Sequence, residues 1–128
     1  MKNARLAVPS VAPGGLDAAV DEHFGHCAVY TVVEIADGAV TNVQTVPNVP
    51  HESGGCLAPV QVLARQGVTA MIAGGMGMRP LMGFKEAGID VFHGGAAPSV
   101  SFAVQQFLGG KLMRFTTDFT CKGGCSGH

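Results

Sequence analysis

The stretch VTAMIAGGMGMRPLMGFKEAGIDVF, residues 68–92, decides the fold. Val68 to Ala73 is a continuous apolar run with a β-branched start, which suits a strand covered on both faces. It leads straight into Gly74-Gly75-Met76-Gly77. Arg79 to Ala87 then reads as a helix ended by Gly88, and Ile89 to Phe92 as a further strand before Gly94-Gly95. Strand, glycine turn, helix and strand make a crossover unit, which sets its two strands parallel and lays the helix on a face of the sheet.

Working outward, Leu57 to Gln66 places Leu57, Val60, Leu63 and Ala64 on one helical face, tolerates Pro59 in the first turn and stops at Gly67. On the other side, Val100, Val104, Phe107 and Leu108 form an apolar stripe on a third helix that begins near Pro98-Ser99. Lys111 to Phe115 reads as a short extended piece. Towards the beginning, Arg5 to Val8 is a strand stopped by Pro9, and Ala28 to Ile35 joins Val40 to Val46 through the turn pair Asp37-Gly38 as a hairpin. The class is α/β, with a mixed sheet and helices on both faces. Residues 1–115 form one domain. Residues 116–128, rich in Cys, Gly and His, have little to bury and are expected to be a flexible tail.

The 128 residues fit one domain, and a 47% share of hydrophobic residues supplies a core. Eight Lys and Arg against nine Asp and Glu leave a net charge of −1, which offers nucleic acid no electrostatic footprint. Although the mean hydropathy is +0.30, the run Val68 to Met78 is too short to span a bilayer. Lys2 and Arg5 precede no uninterrupted apolar segment, because Pro9, Pro13, Gly14 and Gly15 break it, so no export signal is expected and the cytoplasm is the expected compartment. There the four cysteines read as free thiols or metal ligands rather than a disulfide framework.

Three places combine such ligands with glycine. His23-Phe24-Gly25-His26-Cys27 precedes the second strand, where imidazole or thiolate projects at a strand end; the alternative is loop histidines beside a buried thiol. His51-Glu52-Ser53-Gly54-Gly55-Cys56 feeds the first helix, where Gly54 and Gly55 allow close backbone approach and free N–H groups favour an anion; the alternative is a polar connection. Gly74, Gly75 and Gly77 build a nest of N–H donors beside Arg79, or a tight turn whose methionines fill the core. Its spacing matches neither dinucleotide nor P-loop glycine patterns. In the tail, Cys121, Cys125 and His128 are chelate-like, yet one C-x-x-x-C is a poor zinc finger, and a reversible disulfide is the other option.

Taken together, Leu6-Ala7-Val8-Pro9-Ser10, Gly15-Leu16-Asp17, His23-Phe24-Gly25, Ile72-Ala73-Gly74-Gly75-Met76-Gly77 and Ala87-Gly88-Ile89 resemble the dinitrogenase iron-molybdenum cofactor biosynthesis family, over about residues 4 to 110. That family includes nitrogenase cofactor accessory proteins and orange-protein-like small metallocluster carriers. The resemblance implies a ribonuclease-H-like three-layer fold with a five-stranded mixed sheet, order 3-2-1-4-5, strand two antiparallel. It also implies that glycine loops at one end of the sheet receive a cluster, which points to His23, His51, Cys56 and the Gly74 to Arg79 loop.

The expected function is therefore non-catalytic: binding and delivery of a metal-sulfur cluster of Fe-Mo-S or Mo-Cu-S type. His23, His26, Cys27, His51, Cys56, Cys121, Cys125 and His128 are the candidate metal ligands. His23, Gly25, His51, Gly54, Gly55, Gly74, Gly75, Gly77 and Arg79 are the candidate cofactor contacts. The expected partners are the metallocluster and a protein donor or acceptor, with neither nucleic acid nor membrane, the chain itself being a monomer or weak dimer. A thiol–disulfide protein using Cys121 and Cys125, or a metal-free interaction module, stays open. Two-metal hydrolysis does not fit, because Asp17, Asp21, Glu22, Asp37, Asp90 and Asp118 make no convincing carboxylate set.

Overall fold

A computed structural model of the chain describes residues 3–21, 27–47, 58–74, 76–94, 98–114 and 120–121. The elements are β1 (Ala4–Ser10), β2 (Val29–Ala36), β3 (Ala39–Pro47), α1 (Ala58–Arg65), β4 (Ala70–Ala73), β5 (Met76–Gly77), α2 (Met78–Glu86), β6 (Asp90–His93), α3 (Val100–Leu108), β7 (Met113–Arg114) and β8 (Thr120–Cys121). The main sheet has the order β3-β2-β1-β4-β6-β7, and β5 pairs separately with β8. Strands β1, β4 and β6 are parallel, while β2 runs antiparallel to β1, β3 to β2, and β7 to β6.

The sheet thus has six strands, not the five expected. The first five positions follow the expected order, and the sixth is the extended piece after α3. Its recruitment is invisible to periodicity because both Met113 and Arg114 are exposed. What attaches it is side-chain chemistry across the ladder. The Arg114 guanidinium lies 3.0 Å from the Asp90 carboxylate and 5.7 Å from the centre of the Phe92 ring.

Alternation along the central strands divides the interior into two cores. On one face Ala7, Tyr30, Val32, Met71, Ala73 and Val91 meet Val60 and Leu63 of α1 and Leu81 and Phe84 of α2. On the other, Leu6, Val8, Val33, Ile35, Ala70 and Ile72 meet Val100, Ala103, Val104 and Phe107 of α3. Three layers result, and β1 and β4 are apolar on both faces because both are covered. Phe92 meets Phe107 edge-to-face at 5.3 Å and 80°, a favoured aromatic geometry.

The first two helices end alike. In α1, Gly67 N–H donates to Ala64 and Val68 N–H to Leu63; in α2, Gly88 N–H donates to Lys85 and Ile89 N–H to Phe84. Both glycines have φ near +80°. This is the Schellman arrangement, and its apolar pairs Val68–Leu63 and Ile89–Phe84 lie in the first core, so each helix stop also aims the next strand.

β1 does not stop at Pro9 as its sequence suggests; it runs on to Ser10. Arg5 N–H bonds the Thr69 side chain and Arg5 C=O accepts from Thr69 N–H, so odd-numbered positions of β1 face β4. The β4 ladder covers only Leu6 and Ala7, and Pro9, lacking an N–H, falls beyond it.

Candidate functional site

Strand direction gathers the connections of interest at one edge of the sheet. β1, β4 and β6 end there, at Ser10, Ala73 and His93. In the β1–β2–β3 ladder, Ser10 is opposite Val29, the first residue of β2, and Val29 is opposite Pro47, the last of β3. The connection from β1 to β2, the chain leaving β3, the turn leaving β4 and the chain leaving β6 therefore all meet this carboxyl edge. In open α/β sheets that edge is where ligand crevices form.

The first connection is held by a directed chain of buried hydroxyls. Ser10 Oγ donates to the Val8 carbonyl at 2.8 Å and lies 2.8 Å from Thr31 Oγ1. With its single proton spent on Val8, Ser10 accepts from Thr31, and Thr31 in turn accepts from Gly15 N–H at 3.0 Å. Gly14, at φ +80°, sits where a Cβ would come within 2.8 Å of the methyls of Thr45 and Val29. The far side of the loop returns along β1, with Val11 N–H on Ala19 O and Asp21 N–H on Pro9 O. The same loop occupies the start of α3, since Val100 and Ser101 N–H donate to Ala18 and Leu16 carbonyls while Ser99 Oγ caps Phe102 N–H. These donors are spent, so the α3 N-terminus offers an anion nothing.

Cys27 stands just before β2 and is only 4% exposed. Burial pushes its thiol from an ordinary 9.0 up to about 11, reinforced by the Asp21 charge and opposed by a side-chain hydrogen bond with Tyr30. Thiolate is the ligating form. Cys27 is thus placed as a protonated core thiol rather than among accessible donors.

Gly74 continues directly from the fully buried Ala73 and is half-buried at the edge. Gly77 lies in β5 and Arg79 in the first turn of α2. The tail returns to the same place: Thr120 pairs with Met76, and Cys121 with Gly77, as parallel neighbours. Of the other expected site residues, His23, Gly25, His26, His51, Gly54, Gly55, Cys56, Gly75, Cys125 and His128 lie outside the described residues. Among the described residues, no three His, Cys, Asp or Glu side chains are grouped closely enough to hold a metal ion.

One residue at this edge escaped the sequence reading. His93 ends β6 in register with Ala73, is half-buried and is followed by Gly94, whose N–H donates to Ala73 O. Val91 lies in the first core and Phe92 packs against the second, so His93 faces the α2 side. The signal was available, a histidine at a strand end followed by glycines, as in the other two segments.

A cavity of about 380 Å³ at the opposite, amino end of β6 is lined by Leu81, Lys85, Asp90 and Arg114 among others. Its Asp90 and Arg114 already neutralise each other. No helix among the described residues is long and apolar enough to cross a membrane.

Comparison with known proteins sets this edge in a family. The model of the dinitrogenase iron-molybdenum cofactor family matches residues 5–110. The chain is 32% identical over 95 residues to the uncharacterised protein MJ0580 of Methanocaldococcus jannaschii, spanning 73% of this chain and 80% of that one. The apo form of the orange protein from Desulfovibrio gigas superposes with a TM-score of 0.76 at 32% identity, covering 88% of this chain and 93% of the other. A Thermotoga protein provisionally assigned as NifB, solved by NMR, gives 0.76 at 30% identity over 94% and 99% of the two chains. With the family's pattern running through both cores and the glycine turn, this chain belongs to the dinitrogenase iron-molybdenum cofactor family.

Proposed function

We propose that the chain binds a metal-sulfur cluster, of Fe-Mo-S or Mo-Cu-S type, at the carboxyl edge of its sheet and passes it between a protein donor and acceptor without chemical turnover. The observation that carries this reading is the sharing of one edge by the ends of β1, β3, β4 and β6 and the start of β2. Those are the positions from which the three glycine segments depart. In this reading His23, His51 and Cys56 bind exposed metal, while N–H groups of Gly25, Gly54, Gly55, Gly74, Gly75 and Gly77, with the Arg79 charge, stabilise the sulfides. His26, Cys125 and His128 serve as auxiliary donors. A cluster that brings its own sulfide needs few protein thiolates, which suits a described edge with a buried, protonated Cys27. Release to an acceptor favours few ligands on loops over a closed structural site.

The test is anaerobic purification followed by measurement of iron, molybdenum, copper, zinc and acid-labile sulfide, before and after reconstitution with iron, sulfide and thiomolybdate. Stoichiometric metal and sulfide, lost on replacing His23, His51 or Cys56, is the expected result. Failure to load under every condition, with Cys121 and Cys125 cycling between dithiol and disulfide, would replace the carrier by a redox protein.

A further inference from the structure

We infer that the outer edge of β3 is a docking surface for a second copy of this chain, which adds its own β3 antiparallel and joins the two main sheets into one. The contact is independent of any cargo at the carboxyl edge.

Hydrogen-bond direction can be followed strand by strand to that edge. Arg5 and Pro9 turn their backbone groups away from β2, to Thr69 and Asp21. Even-numbered positions of β1 therefore bond β2, through odd-numbered partners such as Thr31 and Val33. That leaves Tyr30, Val32 and Glu34 to bond Val46, Gln44 and Asn42 of β3. The N–H and C=O groups of Val43 and Thr45 face outward, where β3 ends the sheet and has no neighbour among the described residues. Pro47, the next outward position, has no N–H. On the other side the register slips at Thr41, which sits extra between the pairs Ile35–Val40 and Glu34–Asn42 and donates its hydroxyl to Glu34 O. A bulge and a proline thus blunt both ends of β3, as edge strands commonly are. Between them the edge is open.

The open window is complementary to itself. About a two-fold axis through Gln44, Val43 lies opposite Thr45 of the second copy and Thr45 opposite Val43 of the second copy, so every outward N–H of these residues meets a C=O. A shift that sets Thr45 opposite Thr45 would place Val43 opposite Pro47 and leave the Val43 C=O without a donor. Residues 39–47 carry no charge, so no like charges meet and no lysine guards the edge against a copy. Gln44 is half-buried and lies on the same face as Val46 of the first core. Two Gln44 side chains meet at the axis, each amide offering the other both a donor and an acceptor. A strand of another protein has no need of this symmetry, which favours a second copy.

The test is sedimentation of the full chain over a range of concentrations, with its thiols kept reduced. A reversible dimer is expected. Amide exchange at Val43 and Thr45 should slow as concentration rises, while Gln44, whose N–H is already bonded to β2, should change little. Gln44→Lys and Gln44→Glu each set like charges opposite one another and should weaken the dimer about tenfold or more. An equimolar mixture of the two variants should dimerise again, which no misfolded chain would do, and circular dichroism confirms that each is folded. A chain that stays monomeric up to millimolar concentration overturns the proposal. So does a dimer that survives both variants unchanged, or one in which Val43 and Thr45 exchange at the same rate at every concentration, since the contact then lies elsewhere.

Discussion

Thr31 shows how much a single hydroxyl can hold. Its oxygen accepts from Gly15 N–H, and its proton goes to Ser10, whose own proton goes to Val8. Thr31→Val keeps the shape but leaves Gly15 N–H without its acceptor, while Ser10 keeps its bond to Val8, so unfolding in urea should show a loss of about 1–3 kcal/mol. Cys27 is a second residue whose surroundings fix its behaviour. Its folded value of about 11 lies above the ordinary 9.0, so between those values the native state holds a proton that the unfolded chain has released. Stability from this group is therefore complete below about pH 9 and is lost as pH rises towards 11. A stability–pH curve of the parent should fall across that window, and that of Cys27→Ala should fall less. Native Cys27 should also resist alkylation near neutral pH until the chain unfolds.

At the scale of elements, two contacts of different worth bound the third helix and the last strand of the sheet. Ser99 caps Phe102 N–H at 3.2 Å, and Ser99→Ala should cost about 1 kcal/mol in thermal or urea unfolding. Arg114 and Asp90 pair at 3.0 Å but are 65% and 40% exposed in their side chains. Arg114→Ala should therefore change stability by less than about 1 kcal/mol, and amide exchange at Met113 should quicken as β7 frays.

Elements with strong periodicity or strong punctuation were legible in the sequence. The α3 stripe, the helix stops at Gly67 and Gly88 and the Asp37-Gly38 hairpin all read correctly because local chemistry decides them. Pro9 misled, because its effect depends on where a neighbouring strand ends. β5 and β8 were not recognised as strands, since two-residue ladders leave no periodic trace, and β7 was read as an extended piece without its place beside β6. Cys27 carried both a ligand and a core reading in the sequence, and only tertiary burial separates them. His93 was passed over because it closes a strand recognised by its apolar part.

For the molecule as a whole, the two cores cover both faces of the sheet and leave its carboxyl edge outside them. Loading a cluster should leave the unfolding of the hydrophobic interior cooperative while raising the midpoint by mass action, in proportion to the logarithm of free cluster over its dissociation constant. A midpoint indifferent to cluster concentration would mean that native and unfolded chains bind it alike.

The hairpin turn Asp37-Gly38, with φ of +53° and +77°, joins β2 to β3 at the amino edge, beside Ala4. The turns at Gly67 and Gly88 lead into β4 and β6 from that same side. For anyone fixing the protein to a sensor surface, a solid support or a fluorophore, this gives it a back. A cysteine-free attachment made at Asp37-Gly38 would leave the opposite rim facing the solution, so that metals, clusters and proteins could be presented in turn to an immobilised, uniformly oriented chain.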